Sequence, residues 1–140
     1  MAKTAIVYWS GTGNTAAMAD AVALGAKEAG ADVSVFGPSE FNADRAAEFD
    51  GIAFGCPAMG AEVLEEFEFE PMFADVENAL AGKKIGLFGS YGWGDGAWMR
   101  DWEDRCVSAG IRLCADPVMA NYAPSESDIE ACKALGRALV

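Results

Sequence analysis

Three short stretches of this 140-residue sequence hold the residues most able to do chemistry. In the first, Ser10-Gly11-Thr12-Gly13-Asn14-Thr15, four hydroxyl or amide side chains and two glycines fall within six residues. Glycines let a backbone turn tightly and bring its N–H groups together. A helix N-terminus behind them adds unpaired donors and the positive end of a dipole. That combination suits a phosphate. A Walker loop needs Lys after its last glycine, whereas Asn14 follows Gly13. The dinucleotide fingerprint is met formally by Gly11, Gly13 and Ala16, but the second strand ends on Phe36-Gly37 with no acid for a ribose. A terminal monoester, with many exposed oxygens, is the better match for so many donors. No Lys or Arg lies between Thr4 and Ala26, so dipoles rather than formal charge would hold the dianion.

The second stretch, Cys56-Pro57-Ala58-Met59-Gly60-Ala61-Glu62, combines a soft apolar side chain, a glycine and a carboxylate. The third, Gly89-Ser90-Tyr91-Gly92-Trp93-Gly94-Asp95-Gly96, sets Trp93 between two glycines, where it is free to lie flat against a ligand. A phosphate loop, an aromatic platform and a Met beside a glycine describe a site for a flat, monophosphorylated cofactor. Trp98 and Trp102 have helical spacing and read as packing residues.

The elements that position these loops follow from five short apolar runs, at residues 5–9, 33–36, 51–55, 85–89 and 111–115. Their β-branched and aromatic content and their Gly or Pro borders predict buried strands. Helical spacing recurs between them, in Met18, Val22 and Gly25, in Trp98, Trp102 and Cys106, and in Ile129, Cys132, Gly136 and Leu139. Pro124-Ser125 followed by Asp128 predicts the start of the last helix. Residues 37–48 predict a loop and a short helix. The 140 residues leave about 28 per strand–helix unit, the size of a βαβ crossover. The expectation is one α/β domain over residues 1–140, a three-layer, doubly wound, five-stranded parallel sheet covered on both faces. Ligands sit beyond the carboxyl ends of such strands, here the loops after Trp9, Cys56, Gly89 and Ala115.

Twenty-two acids against ten bases leave a net charge of −12. Nucleic acid and anionic membrane surfaces would repel the chain, and a basic protein partner would attract it. With no His, the commonest general base and most transition-metal sites are excluded. The four cysteines, Cys56, Cys106, Cys114 and Cys132, lack metal-ligand spacing and read as reduced core thiols. No apolar run is long enough to span a bilayer, and no signal peptide is read at the N-terminus, so a cytoplasmic location is expected.

In order and spacing, Ile6-Val7-Tyr8-Trp9-Ser10-Gly11-Thr12-Gly13-Asn14-Thr15, Gly55-Cys56-Pro57-Ala58-Met59-Gly60 and Gly86-Leu87-Phe88-Gly89-Ser90-Tyr91-Gly92-Trp93-Gly94 together resemble the flavodoxins, specifically the short-chain type of anaerobic bacteria. The resemblance implies a flavodoxin-like sheet of strand order 2-1-3-4-5 with FMN at its switch point, a topology that general accounts of this fold name for flavodoxin. It implies that Ser10, Gly11, Thr12, Gly13, Asn14 and Thr15 hold the FMN phosphate. Trp93 would stack on one face of the isoalloxazine ring and Met59 cover part of the other. The Gly60 carbonyl would turn toward the flavin N5–H, and Glu62 would accept from the ring N3–H. The backbone of Ser90, Tyr91, Gly92, Trp93 and Gly94 would meet the pyrimidine edge. Pro57 and Ala58 complete the second loop, and residues 120–122 are secondary candidates. Ala61 stands where related proteins often carry a polar residue, and Pro57 has no N–H to donate.

The function so implied is a low-potential one-electron carrier, with no catalytic residue and no metal, working mainly between semiquinone and hydroquinone. Its partners would be basic-faced oxidoreductases, met as a monomer. Seven acids from Glu62 to Glu77 (Glu62, Glu65, Glu66, Glu68, Glu70, Asp75, Glu77) and Asp95, Asp101, Glu103 and Asp104 follow the flavin loops. They read either as solvated faces or as a steering surface. A flavodoxin-fold NAD(P)H:quinone reductase is the alternative, although the chain has little spare length for a second substrate pocket. A receiver-type signalling domain would need acids at the end of the first strand, where Trp9-Ser10-Gly11 stands.

Overall fold

A computed structural model describes residues 2–60 and 62–140. Five strands are joined by helices: β1 (Lys3–Tyr8), α1 (Asn14–Glu28), β2 (Asp32–Phe36), α2 (Ala43–Ala46), β3 (Gly51–Gly55), α3 (Phe69–Val76), β4 (Lys84–Tyr91), α4 (Ala97–Ser108), β5 (Val118–Asn121) and α5 (Glu126–Ala138). All neighbouring strands pair in parallel, in the order β2-β1-β3-β4-β5. β3 is buried along its whole length, as a central strand covered by helices must be.

The first four strands and the short α2 lie where the apolar runs predict them. The fifth does not. Residues 111–115 make one isolated parallel bridge, Ile85 to Leu113, and β5 begins only at Val118, opposite Phe88. β4 advances three residues between those pairings while the edge chain advances five, so two extra residues bulge out around Asp116-Pro117. Proline cannot donate to a ladder and is accommodated at such an edge. The loop beyond the fifth strand therefore follows Asn121, not Ala115.

Two cores flank the sheet. On one face α3 and α4 bury Phe69, Phe73, Trp98 and Trp102 against Phe54, Ile85 and Leu87. Phe73 meets Phe54 edge-on at 5.1 Å, and Trp102 meets Phe69 and Phe73 edge-on at 5.5 and 5.6 Å, the arrangement that aromatic quadrupoles favour. On the other face α1 and α5 bury Met18, Val22, Cys132 and Leu135 on Ile6, Ala53 and Phe88. The start of α5 is the capping box expected from sequence: Ser125 Oγ accepts from Asp128 N–H at 3.2 Å, and the Asp128 carboxylate accepts from Ser125 N–H at 2.9 Å.

α1 and α5 touch through backbone. A Cβ on Gly25 would strike the Lys133 carbonyl, and a Cβ on Gly136 the Val22 carbonyl. Gly136→Ala should therefore destabilise the protein. The new methyl recovers up to about 1 kcal/mol of helix propensity, but forcing two helices apart costs about 1–3 kcal/mol. Urea unfolding should show a lower midpoint at unchanged slope.

Candidate cofactor cleft

Chain order reverses between β1 and β3, and a cleft of about 270 Å³ opens beyond the carboxyl ends of β1, β3 and β4. The first loop contributes Trp9, Gly11, Thr12 and Asn14, the second Pro57, Ala58 and Met59, the third Ser90, Tyr91 and Gly92. Tyr122, just past β5, completes the lining.

The 10–15 loop is shaped by its own first hydroxyl. Ser10 Oγ accepts from the N–H groups of Gly13 and Ala16, at 3.1 and 3.3 Å, and so folds the chain onto the start of α1. Gly13 caps that helix at φ 95°, a left-handed conformation that a side chain would strain. Among the described residues, the backbone N–H groups of Gly11, Thr12, Asn14 and Thr15 meet no protein acceptor. Thr15 is buried, and its hydroxyl shares a 3.2 Å hydrogen bond with that of Ser90. The Thr15 side chain thus fastens α1 to β4, and because either hydroxyl of the pair can donate and Ser90 N–H also donates to Thr15 Oγ1 at 3.4 Å, the Thr15 O–H can still donate to a ligand beside its backbone N–H.

The second loop rests on Cys56. Its N–H donates to Phe88 O at 3.1 Å, and its carbonyl accepts from Trp98 Nε1 at 3.1 Å. A Cβ on Gly89 would collide with that carbonyl. The thiol is fully buried, and burial pushes its pKa up to about 12, so Cys56 is a packing residue. Ala58 N–H donates to Ser90 O at 3.0 Å, and Met59 and Val63 exchange both backbone bonds, at 2.9 and 3.1 Å. That reciprocal pair closes the turn on which Gly60 (φ 37°) and Glu62 (φ 56°) sit. Open space surrounds the position of a Cβ on Gly60. Ala61 lies outside the described residues. The Glu62 carboxylate packs against Gly94, and its Oε1 is buried with no protein partner among the described residues.

Trp9, Tyr91 and Tyr122 are the aromatic residues that line the cleft. Trp9 lies over Gly11, where a Cβ would come within 3.1 Å of the indole, and its Nε1 donates to Glu68 at 3.0 Å. Tyr122 takes φ 58°, its N–H donates to Tyr91 O at 2.8 Å, and its ring borders Gly92. Trp93 is 63% exposed and does not line the cleft. Trp98 and Trp102 are buried, as their spacing predicts.

The cleft thus gathers Gly11, Thr12, Asn14, Pro57, Ala58, Met59, Ser90, Tyr91 and Gly92 of the sequence candidates. Ser10, Gly13 and Thr15 shape the first loop from behind, while Gly60, Glu62, Trp93 and Gly94 do not line the cleft. Trp9 was not among the cofactor candidates, and Tyr122 was a secondary one. The signal for Trp9 was its place between a strand and a glycine loop. That for Tyr122 was hidden by the displaced fifth strand.

The residues present fit FMN. Four unpartnered N–H groups with Thr12 and Asn14 suit a phosphate, and a mostly apolar slot suits a flat ring. Among the described residues, no group of acids and cysteines could hold a metal ion, and no helix is long and apolar enough to cross a membrane.

Several acids near the cleft have structural work. Glu70 and Glu77 pair with Arg105 at 2.7 and 3.0 Å, and the guanidinium lies 5.0 Å from the centre of the Phe73 ring. Asp75 accepts from Ala43 N–H at 3.1 Å. Asp95 pairs with Arg100 at 3.0 Å. Glu65 is buried, and its carboxylate accepts from the N–H groups of Phe67, Glu68 and Phe69 at 2.7–2.8 Å. Burial alone would raise its pKa, but the three backbone donors outweigh it and hold the carboxyl below its ordinary value. Glu65 is therefore no part of a steering surface.

The flavodoxin profile matches residues 6–136. The chain is 48% identical over 123 residues to a flavodoxin of Clostridium beijerinckii, covering 88% of this chain and 89% of that one. It is 47% identical over 133 residues to a flavodoxin of Megasphaera elsdenii, covering 95% of each. The solution structure of two-electron reduced Megasphaera elsdenii flavodoxin superimposes with a TM-score of 0.89 at 46% identity, over 97% of both chains.

Glu65→Gln should remove part of the protein's stability and part of its acid sensitivity. Because the folded-state pKa lies below the unfolded one, the charged form stabilises the fold at neutral pH. That contribution fades as pH falls through the folded value. Hydrogen bonds to a charged group are worth about 1.5–3 kcal/mol. Denaturation at pH 7 should show a loss of that order, shrinking toward acid. A constant difference at all pH values would place the charge elsewhere.

Proposed function

The chain belongs to the flavodoxin family and is an FMN-binding electron carrier rather than an enzyme, and we propose that it is a single-domain, cytoplasmic, monomeric carrier of low potential that meets basic-faced redox partners. The observation that supports this most directly is the first loop: four backbone N–H groups without protein acceptors, beside an apolar slot, in a segment with no Lys or Arg. When bound, FMN supplies two successive one-electron steps, of which the second is the more reducing and the one proposed to work in this protein.

The chain's residues divide that task. Ser10, Gly11, Thr12, Gly13, Asn14 and Thr15 hold the phosphate by dipoles and leave its charge unneutralised. A negative charge on the ring, as the second electron would bring, is then disfavoured by the phosphate, by the low-dielectric slot and by a chain of net charge −12. Pro57, Ala58 and Met59 cover one side of the ring and the ribitol, and Trp93 closes on the other. Trp93 is large, apolar and exposed, so it gains burial by doing so. The backbone of Ser90, Tyr91, Gly92 and Gly94 borders the pyrimidine edge, and Glu62 accepts the N3–H. The Gly60 carbonyl accepts a proton-bearing N5–H after its peptide turns, which Gly60 allows at little steric cost. Exposed Glu66, Asp101 and Asp104 and the surface side of Glu68 present negative charge to a partner.

Two experiments test this reading. Thr12→Ala and Asn14→Ala should weaken FMN binding while riboflavin binding stays nearly constant, whereas Thr15→Ala should also lower thermal stability through the lost Ser90 contact. Equal losses for both ligands would remove the phosphate from this loop.

Gly60→Val should lower the fraction of one-electron-reduced flavin in an anaerobic titration and draw the two steps together, with little change in affinity for oxidised FMN. A lost neutral hydrogen bond costs about 0.5–1.5 kcal/mol, and a β-branched residue at positive φ adds strain. A wild-type fraction in this variant would mean that another acceptor holds the N5 proton.

A further inference from the structure

Two buried polar atoms on this side of the molecule have no protein partner among the described residues: Glu62 Oε1, an acceptor, and Trp102 Nε1–H, a donor. Leaving either unsatisfied costs free energy comparable to a lost hydrogen bond or more, so each needs an explanation. Their residues line the same small cavity, about 130 Å³, between the 62–64 turn and α4. Arg105 and Glu70, already joined at 2.7 Å, line it too, with Asp101. A water occupies about 30 Å³ and needs two to four polar partners, so this cavity has both the room and the donors and acceptors for ordered water. The remaining Trp102 contacts, edge-on to Phe69 and Phe73, hold the indole in place and leave its N–H as the only group it has to offer.

We propose that Trp102 is a positioning residue for Glu62. Its indole N–H and the buried Glu62 Oε1 share water held in this cavity, which ties the 60–63 turn to α4 and fixes how the carboxylate meets its ligand. This rests on the reading of Glu62 as acceptor of the flavin N3–H. One carboxylate oxygen is then held by the protein through water, and the other is left to the cofactor. Glu62 sits on a tight turn at φ 56° with its carboxylate packed against Gly94, and a water bridge to α4 would fix its orientation.

The test is a double-mutant cycle of Trp102→Phe and Glu62→Ala, read as dissociation constants of FMN and of riboflavin. Phe keeps the edge-on ring contacts and deletes only the N–H. Trp102→Phe should weaken both ligands equally, by about 2- to 12-fold, the worth of one neutral hydrogen bond, because it acts at the ring and not at the phosphate. In the Glu62→Ala background the same change should have no effect, whereas a Glu62→Gln background, which keeps an acceptor oxygen, should retain it. Additive losses in the Ala background would overturn the proposal, since a merely structural role of Trp102 would not depend on residue 62. If Glu62→Ala alone leaves both affinities unchanged, the reading of Glu62 as N3 acceptor fails. The water bridge is then decided by the wild-type holoprotein. A crystal structure that resolves waters should show one within hydrogen-bonding distance of both Trp102 Nε1 and Glu62 Oε1. A protein acceptor on Trp102 Nε1, or no shared water, would overturn the bridge whatever the stability of the variants.

Discussion

Everything around the cleft follows from one proposed demand, that it hold a doubly charged phosphate without a counter-charge. Backbone N–H groups can do so only if they are left unpaired and kept in one place. The structure arranges both. Ser10 Oγ takes up Gly13 and Ala16 N–H, so the loop cannot unwind, while the N–H groups of Gly11, Thr12, Asn14 and Thr15 stay free of protein acceptors. The helix that supplies the dipole must also be immobile. Thr15 bonds it to Ser90 of β4, and Gly25 and Gly136 let α5 press directly on its backbone. Contacts more than a hundred residues apart in sequence thus serve one anion site.

The ring end of the cleft is built on a different principle, a rigid base beneath a turn that can move. Cys56 is held on both sides, by Phe88 O and by Trp98 Nε1, and Gly89 gives its carbonyl room. Three residues on, the reciprocal Met59–Val63 bonds clamp the turn at its base and leave Gly60 at its tip in open space. Downstream, Glu65 ties the chain into the start of α3 with three backbone bonds. These bonds fix the chain on both sides of Gly60, the position at which a proton-dependent rearrangement is proposed.

Much of this was legible in the sequence because the relevant physics is local. Buried parallel strands need continuous apolar runs, a capped helix needs Ser125 and Asp128 three apart, and a phosphate loop needs glycines and hydroxyls together. The parts that were not legible depend on distant partners. The run at 111–115 has strand composition, but the bulge at Asp116-Pro117 moves the pairing to Val118, and no local pattern records that register. The Thr15 hydroxyl reads as a phosphate donor, and its additional bond to Ser90, seventy-five residues away, is not written in any local pattern. Trp93 stands exposed beside the cleft, while Trp9, Tyr91 and Tyr122 line it, and it is the strand ends that decide which rings do so.

The acids show how net charge separates into fold and function. In sequence, the seven from Glu62 to Glu77 look alike. In the structure Glu65 is a buried cap, Glu70 and Glu77 clamp Arg105 over Phe73, Asp75 holds the start of α2, and Glu68 anchors Trp9. Charges neutralised or buried this way project little field, because an ion pair is a short-range dipole and a buried cap is compensated by the N–H groups around it. The field that a partner meets comes from what is left: Glu66 beside the exposed Phe67, and Asp101 and Asp104 on α4. Glu66 lines a cavity with Gly60, and Asp101 lines one with Glu62. Exposed acids outside any ion pair also stand elsewhere among the described residues, at Asp20, Asp44, Glu48 and Asp116, so the negative surface is broad, and the compensated charge is the part that holds α2, α3 and the first loop in place.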